Sequence, residues 1–449
     1  MNYVESVIDL VGGTPLVRLG RVCAGVRPLV LAKLEYLNPG GSVKDRIALA
    51  MVRAAEQSGD LVPGGTIIEP TSGNTGVALA MIAALRGYRC VFTCPDKVSP
   101  ERINLLRAYG AEVVICPATA PADHRDFYRN VARRLAAERP DACLLDQYAN
   151  PANPRAHYLS TGPEIWEQTS GRITHLVASL GTGGTLSGAG RYLKQVSGGT
   201  VTVIGADPDG SAYTCATVRP YLLEGVGQPF PPKAYDPGVA DELIAVTDKD
   251  ALAMTRRLAR DEAILTGGSG GMAVAAALTV AARHGDDAVI VVMIPDSGRG
   301  YVSKIFNDDW MARRGFAVSP AQAPCGDPHW SREVPWLRPD DTIRTALAVL
   351  REHRLPAAPV TTARPPVRLA EVLGRVSERR LTQVLAGAEA NEADPVRGHL
   401  EPPPAFAGIG QSPADASAVI GGGDIALILD GGIVRGMVTR SELICAFTT

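Results

Sequence analysis

TIIEPTSGNTGVALAMIAALRG (66–87) decides the fold. It opens with a short β-branched run, turns through the glycine and hydroxyl residues of TSGNTG (71–76), and continues into VALAMIAALRG (77–87) with the apolar spacing of a helix. The same order recurs outward. RCVFTCP (89–95) leads to ERINLLRAYG, EVVICP (112–117) to FYRNVARRLAAERP, and HLVAS (175–179) through LGTGGT into another helical stretch. VTVIGAD (201–207) and AVIVVMIPD (288–296) complete the series. Strands alternating with helices predict an α/β fold over residues 1–317, with parallel sheets covered on both faces. Ligands of such folds sit at the carboxyl ends of strands, where these turns lie.

After Phe316 the pattern stops. AVSPAQAPCGDPHWSREVPW (317–336) is rich in Pro and small polar residues, and residues 318–337 read as a linker. Residues 338–449 read as a separate α+β domain. In it DDTIRTALAVLREHRLPAAPV (340–360) is helix then strand, and SPADASAVIGGGDIALILDGGIVRGMVTRSEL (412–443) is helix, two strands and helix. The stretch between is less regular, so the domain reads as a weak tandem of modules.

Hydrophobic residues make up 46% of the chain and charged residues 20%, with a formal net charge of −2. That balance offers no general attraction to nucleic acid or an anionic membrane, so the expected partner is a small molecule. MNYVESVIDLVGG carries acids among its apolar residues, and the longest apolar runs fall far short of the ~20 residues that span a bilayer. Eight cysteines are too few for a disulfide scaffold. Cys90 and Cys94 share one face of a strand, where buried thiols are the plain reading. Reduced thiols and a cytoplasmic protein are expected. The seven histidines show no metal-ligand spacing, so no metal site is expected.

LEYLNPGGSVKDR (34–46) places Lys44 after a glycine-bearing turn, at the start of a helix. Most lysines are solvated surface charges. A helix N-terminus is a poor place for a cation, however, and a lysine held as a neutral imine or amine avoids that cost. EPTSGNTG (69–76) and GTGGT (181–185) both join a strand to a helix; the first reads either as a cap with turn residues or as an anion site of N–H groups and hydroxyls, and the second as a site where N–H groups and the hydroxyls of Thr182 and Thr185 enclose a phosphate. A dinucleotide fingerprint is the rival reading for the second loop, with Asp207 ending the next strand. It wants a glycine where Leu186 stands, and it leaves Lys44 without a task.

NPGGSVKDR, EPTSGNTG, GTGGT, EGVG (224–227) and GGSGG (267–271), in this order, resemble the β-family of pyridoxal phosphate (PLP) enzymes, which includes cysteine synthase, cystathionine β-synthase and threonine dehydratase. The resemblance implies the two-subdomain PLP fold type II, like the tryptophan synthase β-chain. It implies that Lys44 carries the cofactor as an imine and later moves the Cα proton. Asn74 would hydrogen-bond the cofactor's 3′-oxygen, and Gly181, Thr182, Gly183, Gly184 and Thr185 would cradle its phosphate. Ser269 would face the pyridine nitrogen; a hydroxyl there, in place of a carboxylate, favours quick expulsion of a β-leaving group. Thr71, Ser72, Thr75 and Gln147 would hold the substrate carboxylate. The implied reaction passes through an aminoacrylate to which a second nucleophile adds at Cβ.

Within the family the chain is most similar to the cystathionine β-synthases, through DQYANPANPRAHY (146–158), DPDGS (207–211), EGVG and IPDSGRGYVSKIFNDDWM (294–311). Tyr148 stands where cysteine synthases usually have Phe. Glu224 stands where they usually have Gln, and could orient the entering thiol's amino group or take its proton. Gln228 departs from the Tyr of animal and yeast members. The leading expectation is serine plus homocysteine giving cystathionine. Sulfide addition giving cysteine, and another nucleophile altogether, are the alternatives. No haem is expected, because no amino-terminal extension with Cys and His ligands is present. The carboxy-terminal domain resembles paired modules that bind adenosine compounds in other proteins, and GMVTRSEL (436–443) matches their strand-to-helix turn. Glu442 replaces the usual ribose-gripping Asp. A homodimer is expected from the resemblance alone.

Overall fold

The structure, a computed structural model, describes all residues except 2, 72, 97, 99, 118, 119, 121, 122, 317–330, 422 and 447–449. Contacts divide the chain into two units, Met1–Val218 with Leu223–Gly300, and Arg219–Leu222 with Tyr301–Thr449.

In the first unit β1 (Leu16–Arg18) and β2 (Leu29–Leu34) begin a six-stranded sheet. The chain then leaves it to build a separate all-parallel sheet from β3 (Thr66–Glu69), β4 (Arg89–Pro95), β5 (Glu112–Cys116) and β6 (Ala142–Leu144), in the order β5-β4-β3-β6. It returns through β7 (His175–Ser179), β8 (Thr202–Pro208), β9 (Glu242–Val246) and β10 (Val289–Ile294), giving the order β1-β2-β10-β7-β8-β9. Only β1 pairs antiparallel in that sheet. The helices are α1 (Lys44–Ser58), α2 (Asn74–Arg86), α3 (Pro100–Ala108), α4 (Tyr128–Glu138), α5 (Ala152–Leu159), α6 (Thr161–Gln168), α7 (Gly184–Val196), α8 (Asp248–Asp261) and α9 (Gly268–Ala281). The expected alternation is thus present, shared between two separate sheets.

Strands covered on both faces need no polar side, which is why β3 is buried throughout and β10 reads as the continuous run VIVVMI. α9 is apolar almost all round for the same reason, whereas α8 shows its charges to one side. Cys90 and Cys94 are buried free thiols in β4. A buried ionic cluster fixes α1 to its surroundings. Arg46 binds both Glu35 oxygens at 2.7 and 2.8 Å and both Glu164 oxygens at 2.7 Å, and Lys33 adds a contact to Glu164 at 2.8 Å. Burial alone would raise the Glu164 carboxyl, but Arg46 and Lys33 hold it at about 2.

The second unit holds α10 (Asp308–Arg313), α11 (Ile343–Glu352), β11 (Ala357–Thr361), β12 (Val372–Ser377), α12 (Glu378–Ala386), β13 (Ala405–Gly408), α13 (Pro413–Ile420), β14 (Ile425–Asp430), β15 (Ile433–Thr439) and α14 (Arg440–Ala446). β11 and β12 form one sheet, and β13, β14 and β15 another. The stretch read as irregular therefore contains β12 and α12.

Most of the expected linker, 318–330, lies outside the described residues. Arg332 pairs with Met437 and Leu337 with Val360, so 331–337 is already part of the second unit. Tyr301–Phe316 also groups there, because α10 packs on β13 and Arg314 lies between the Trp310 and Phe406 rings, 4.0 and 5.0 Å from their centres.

Candidate active site

The turn before Lys44 is tied to the end of β10. Val43 N–H donates to the Pro295 carbonyl at 2.8 Å, and Ser42 pairs with Asp296. Lys44 is then the first residue of α1, half-buried, with its ammonium disfavoured by burial and partly restored by the Asp296 charge. Asn74 opens α2 and donates to Asp296 Oδ2 at 2.8 Å; Ser269, near the start of α9, donates to Asp296 Oδ1 at 3.4 Å. With the start of α7 in the 181–185 loop, the positive ends of α1, α2, α7 and α9 meet around one cavity.

That cavity brings together Lys44, Asn74, Gly181, Thr182, Gly183, Thr185, Ser269 and Glu224. The chemistry of its lining fits PLP: an amine of lowered pKa, hydroxyls and a helix N-terminus for a dianion, and Ser269 beside a carboxylate. The glycines of the loop answer to the protein itself. A Cβ on Gly183 (φ +79°) would lie 2.4 Å from Tyr235 Cβ, and one on Gly184 would lie 1.9 Å from Asn153 Oδ1.

A second cavity shares Lys44, Asn74 and Thr182 with the first and adds Thr71, Thr75, Gln147, Tyr148, Arg102 and Gln228. Ser72 lies outside the described residues. Gln147 is set by a turn in which Asp146 has φ +47°. The buried Glu69 carboxylate at the end of β3 accepts N–H groups of Asp146 and Gln147 at 2.8 and 3.1 Å. Burial pushes Glu69 up to about 7. Tyr148 packs edge-on to Phe230, with the Arg129 guanidinium 5.0 Å from its ring centre, and burial raises its phenol above the ordinary range. Glu224 pairs with Arg102 at 2.8 Å.

Residues 7–296 match the family model described as pyridoxal-phosphate dependent enzyme, and residues 331–387 match the CBS domain. The chain belongs to the pyridoxal-phosphate dependent enzymes. This PLP-dependent enzyme is 42% identical to cystathionine beta-synthase of Apis mellifera, over 74% of this chain and 67% of that one. It is 40% identical to that of Oryctolagus cuniculus, over 88% and 74%. Among solved structures, an O-ureido-L-serine synthase is similar at 39% identity and TM-score 0.65, covering 68% of this chain and 96% of that one. A hydrogen sulfide-producing enzyme from Fusobacterium nucleatum is similar at 35% and 0.64, covering 67% and 99%.

Several residues of this PLP-dependent enzyme escape a sequence reading. Asp296 ends the AVIVVMIPD run, at the strand end where ligands are expected, and that position was the signal available for it. Arg102, Glu69, Asn153 and His157 gave no local signal. In the second unit Glu442 is held by Arg332, whose Nε donates at 2.7 Å, and by the Thr439 hydroxyl at 2.8 Å. Among the described residues no cluster of His, Cys, Asp and Glu is placed to hold a metal ion, and no helix is long and apolar enough to cross a membrane.

Proposed function

We propose that the chain replaces the hydroxyl of L-serine with the thiol of homocysteine, giving cystathionine and water. The observation that carries this reading is the Arg102–Glu224 pair at the substrate side of the Lys44 cavity. A carboxylate and a guanidinium suit the ammonium and carboxylate of an amino-acid thiol, whereas sulfide has no use for either. The 40–42% identity to relatives named cystathionine beta-synthase supports it.

When bound, PLP supplies an aldehyde that condenses with amines and a ring that draws electron density from the substrate's Cα. Lys44 holds the cofactor, and its Nζ, disfavoured as a cation by burial, accepts the Cα proton and returns it. Thr71, Gln147 and the backbone N–H of Thr75 in the first turn of α2 hold the serine carboxylate, with Ser72 as a further proposed donor. Gln147 Oε1 already accepts from the Thr75 hydroxyl at 2.7 Å, so the amide presents its N–H groups to that carboxylate. Asn74 has one amide hydrogen on Asp296 and a second for the cofactor's 3′-oxygen. Ser269 faces the pyridine nitrogen. Its hydroxyl, 3.4 Å from Asp296 Oδ1, can turn its proton to the ring nitrogen's lone pair. Tyr148 closes the side of the substrate cavity.

Product analysis with serine and either homocysteine or sulfide tests the reading. Cystathionine formed faster than cysteine is expected; faster turnover of O-acetylserine with sulfide would overturn it.

The same reading extends to assembly and place. We propose a cytoplasmic homodimer, supported by free thiols and by a groove lined by Val11, Leu49, Ala54 and Leu159, the last 62% exposed. Sedimentation as a monomer at micromolar concentration would remove the dimer. An adenosine effector in the second unit would have to draw Glu442 from Arg332.

A further inference from the structure

α5 packs against α7 behind the 181–185 loop. α5 presents Asn153 and His157, one helical turn apart, to Thr182 and Thr185 at the start of α7. Asn153 is fully buried and His157 nearly so. Asn153 Nδ2 lies 2.7 Å from the Gln147 carbonyl oxygen, an atom that only accepts, and this fixes which end of the amide is nitrogen. The same nitrogen donates to Thr182 Oγ1 at 3.0 Å, and Gly184 N–H adds a second donation at 3.3 Å. Thr182 lines the cavity, so an oxygen that already receives two hydrogens keeps its own for a ligand there.

His157 repeats the arrangement. Its Nε2 lies 3.1 Å from Thr185 Oγ1 and its Nδ1 2.9 Å from Thr161 Oγ1. Burial, with Arg46 and Lys44 nearby, keeps the imidazole neutral, so it carries one N–H. We propose that this hydrogen sits on Nε2 and that Thr161 donates to Nδ1, so that α5 feeds donors to both threonines and turns both hydroxyl protons toward the cofactor phosphate. Asn153 and His157 are positioning residues, and the loop they order offers protons to a dianion. The close approach this needs is built in. A Cβ on Gly188 would fall 2.0 Å from the Pro154 carbonyl oxygen. The inference rests on the family's placement of a phosphate at 181–185, but not on the substrates proposed above.

The test titrates apoenzyme with PLP and with pyridoxal, which lacks the phosphate, and follows the holoenzyme by ³¹P NMR. Asn153→Asp keeps the shape but accepts the Thr182 proton. It is expected to weaken PLP by at least about tenfold, leave pyridoxal within about twofold, and move the ³¹P resonance toward that of free cofactor. His157→Gln, which keeps a donor near Nε2, should hold PLP within about threefold of wild type, and His157→Phe should not. Equal losses for PLP and pyridoxal, or unchanged PLP affinity in Asn153→Asp, overturn the inference. Should that variant fail to fold, the His157 pair decides, and equal PLP affinities for Gln and Phe overturn it. Because no substrate is present, an enzyme that makes another product leaves the inference standing while ending the cystathionine reading.

Discussion

The Thr75 hydroxyl donates to Gln147 Oε1 at 2.7 Å across 72 residues of sequence, joining the start of α2 to the turn after β6. This bond sets the polarity of the substrate cavity, because it leaves the Gln147 N–H groups pointing at an incoming carboxylate. Gln147→Glu should therefore raise the serine KM by at least about tenfold, with the bound cofactor's absorption unchanged. An unaltered KM would show that the carboxylate is held elsewhere.

Lys44→Ala should leave a folded, cofactor-binding protein whose turnover falls by about 10³-fold or more, since both the covalent anchor and the proton carrier are gone. Borohydride reduction followed by peptide mapping should label Lys44 in the wild type. A label on another lysine would reassign the anchor.

Glu224→Gln removes the charge that faces Arg102. The pair is part-exposed, so stability should change by less than about 1 kcal/mol. The homocysteine KM should rise about tenfold while serine deuterium exchange at Cα keeps its rate. Equal losses in both steps would place Glu224 in the first half of the reaction.

His157 gives the protein an acid-sensitive term. Burial lowers its pKa well below 6.5, so the unfolded chain takes up a proton that the folded chain refuses. Stability then falls as the pH drops below 6.5, by at most about 1.4 kcal/mol per pH unit from this one group. Urea unfolding of wild type and His157→Gln should converge in slope above that pH and diverge below it. Parallel pH profiles would mean that the imidazole is charged in the fold.

Gly184→Ala would set a methyl 1.9 Å from Asn153 Oδ1, whereas Gly20→Ala meets nothing within 4 Å. The first should cost about 1–3 kcal/mol in urea unfolding and the second little. Equal costs would show that α5 and α7 can move apart.

The parts of the site that were legible in the sequence are local. Lys44, Asn74 and the 181–185 loop each sit where a strand or turn hands over to a helix, so glycines and hydroxyls announce them. Asp296, by contrast, becomes part of the site by meeting Asn74 from 222 residues away. Arg102 likewise meets Glu224 only in the fold, and α5 faces α7 only because Gly184 and Gly188 allow it. In the second unit β12 was hidden by Gly374, which reads as a breaker. The fold uses its missing side chain, since a Cβ there would lie 2.6 Å from the Glu401 carbonyl oxygen.

The clamp of Arg332 and Thr439 on Glu442 bears on any attempt to give this chain a responsive sensor module. Exchanging residue 442 for the shorter acid would draw the carboxylate back from Arg332 before it created a sugar-binding group. A redesign would have to rehouse that guanidinium first, so two substitutions at opposite ends of the module travel together.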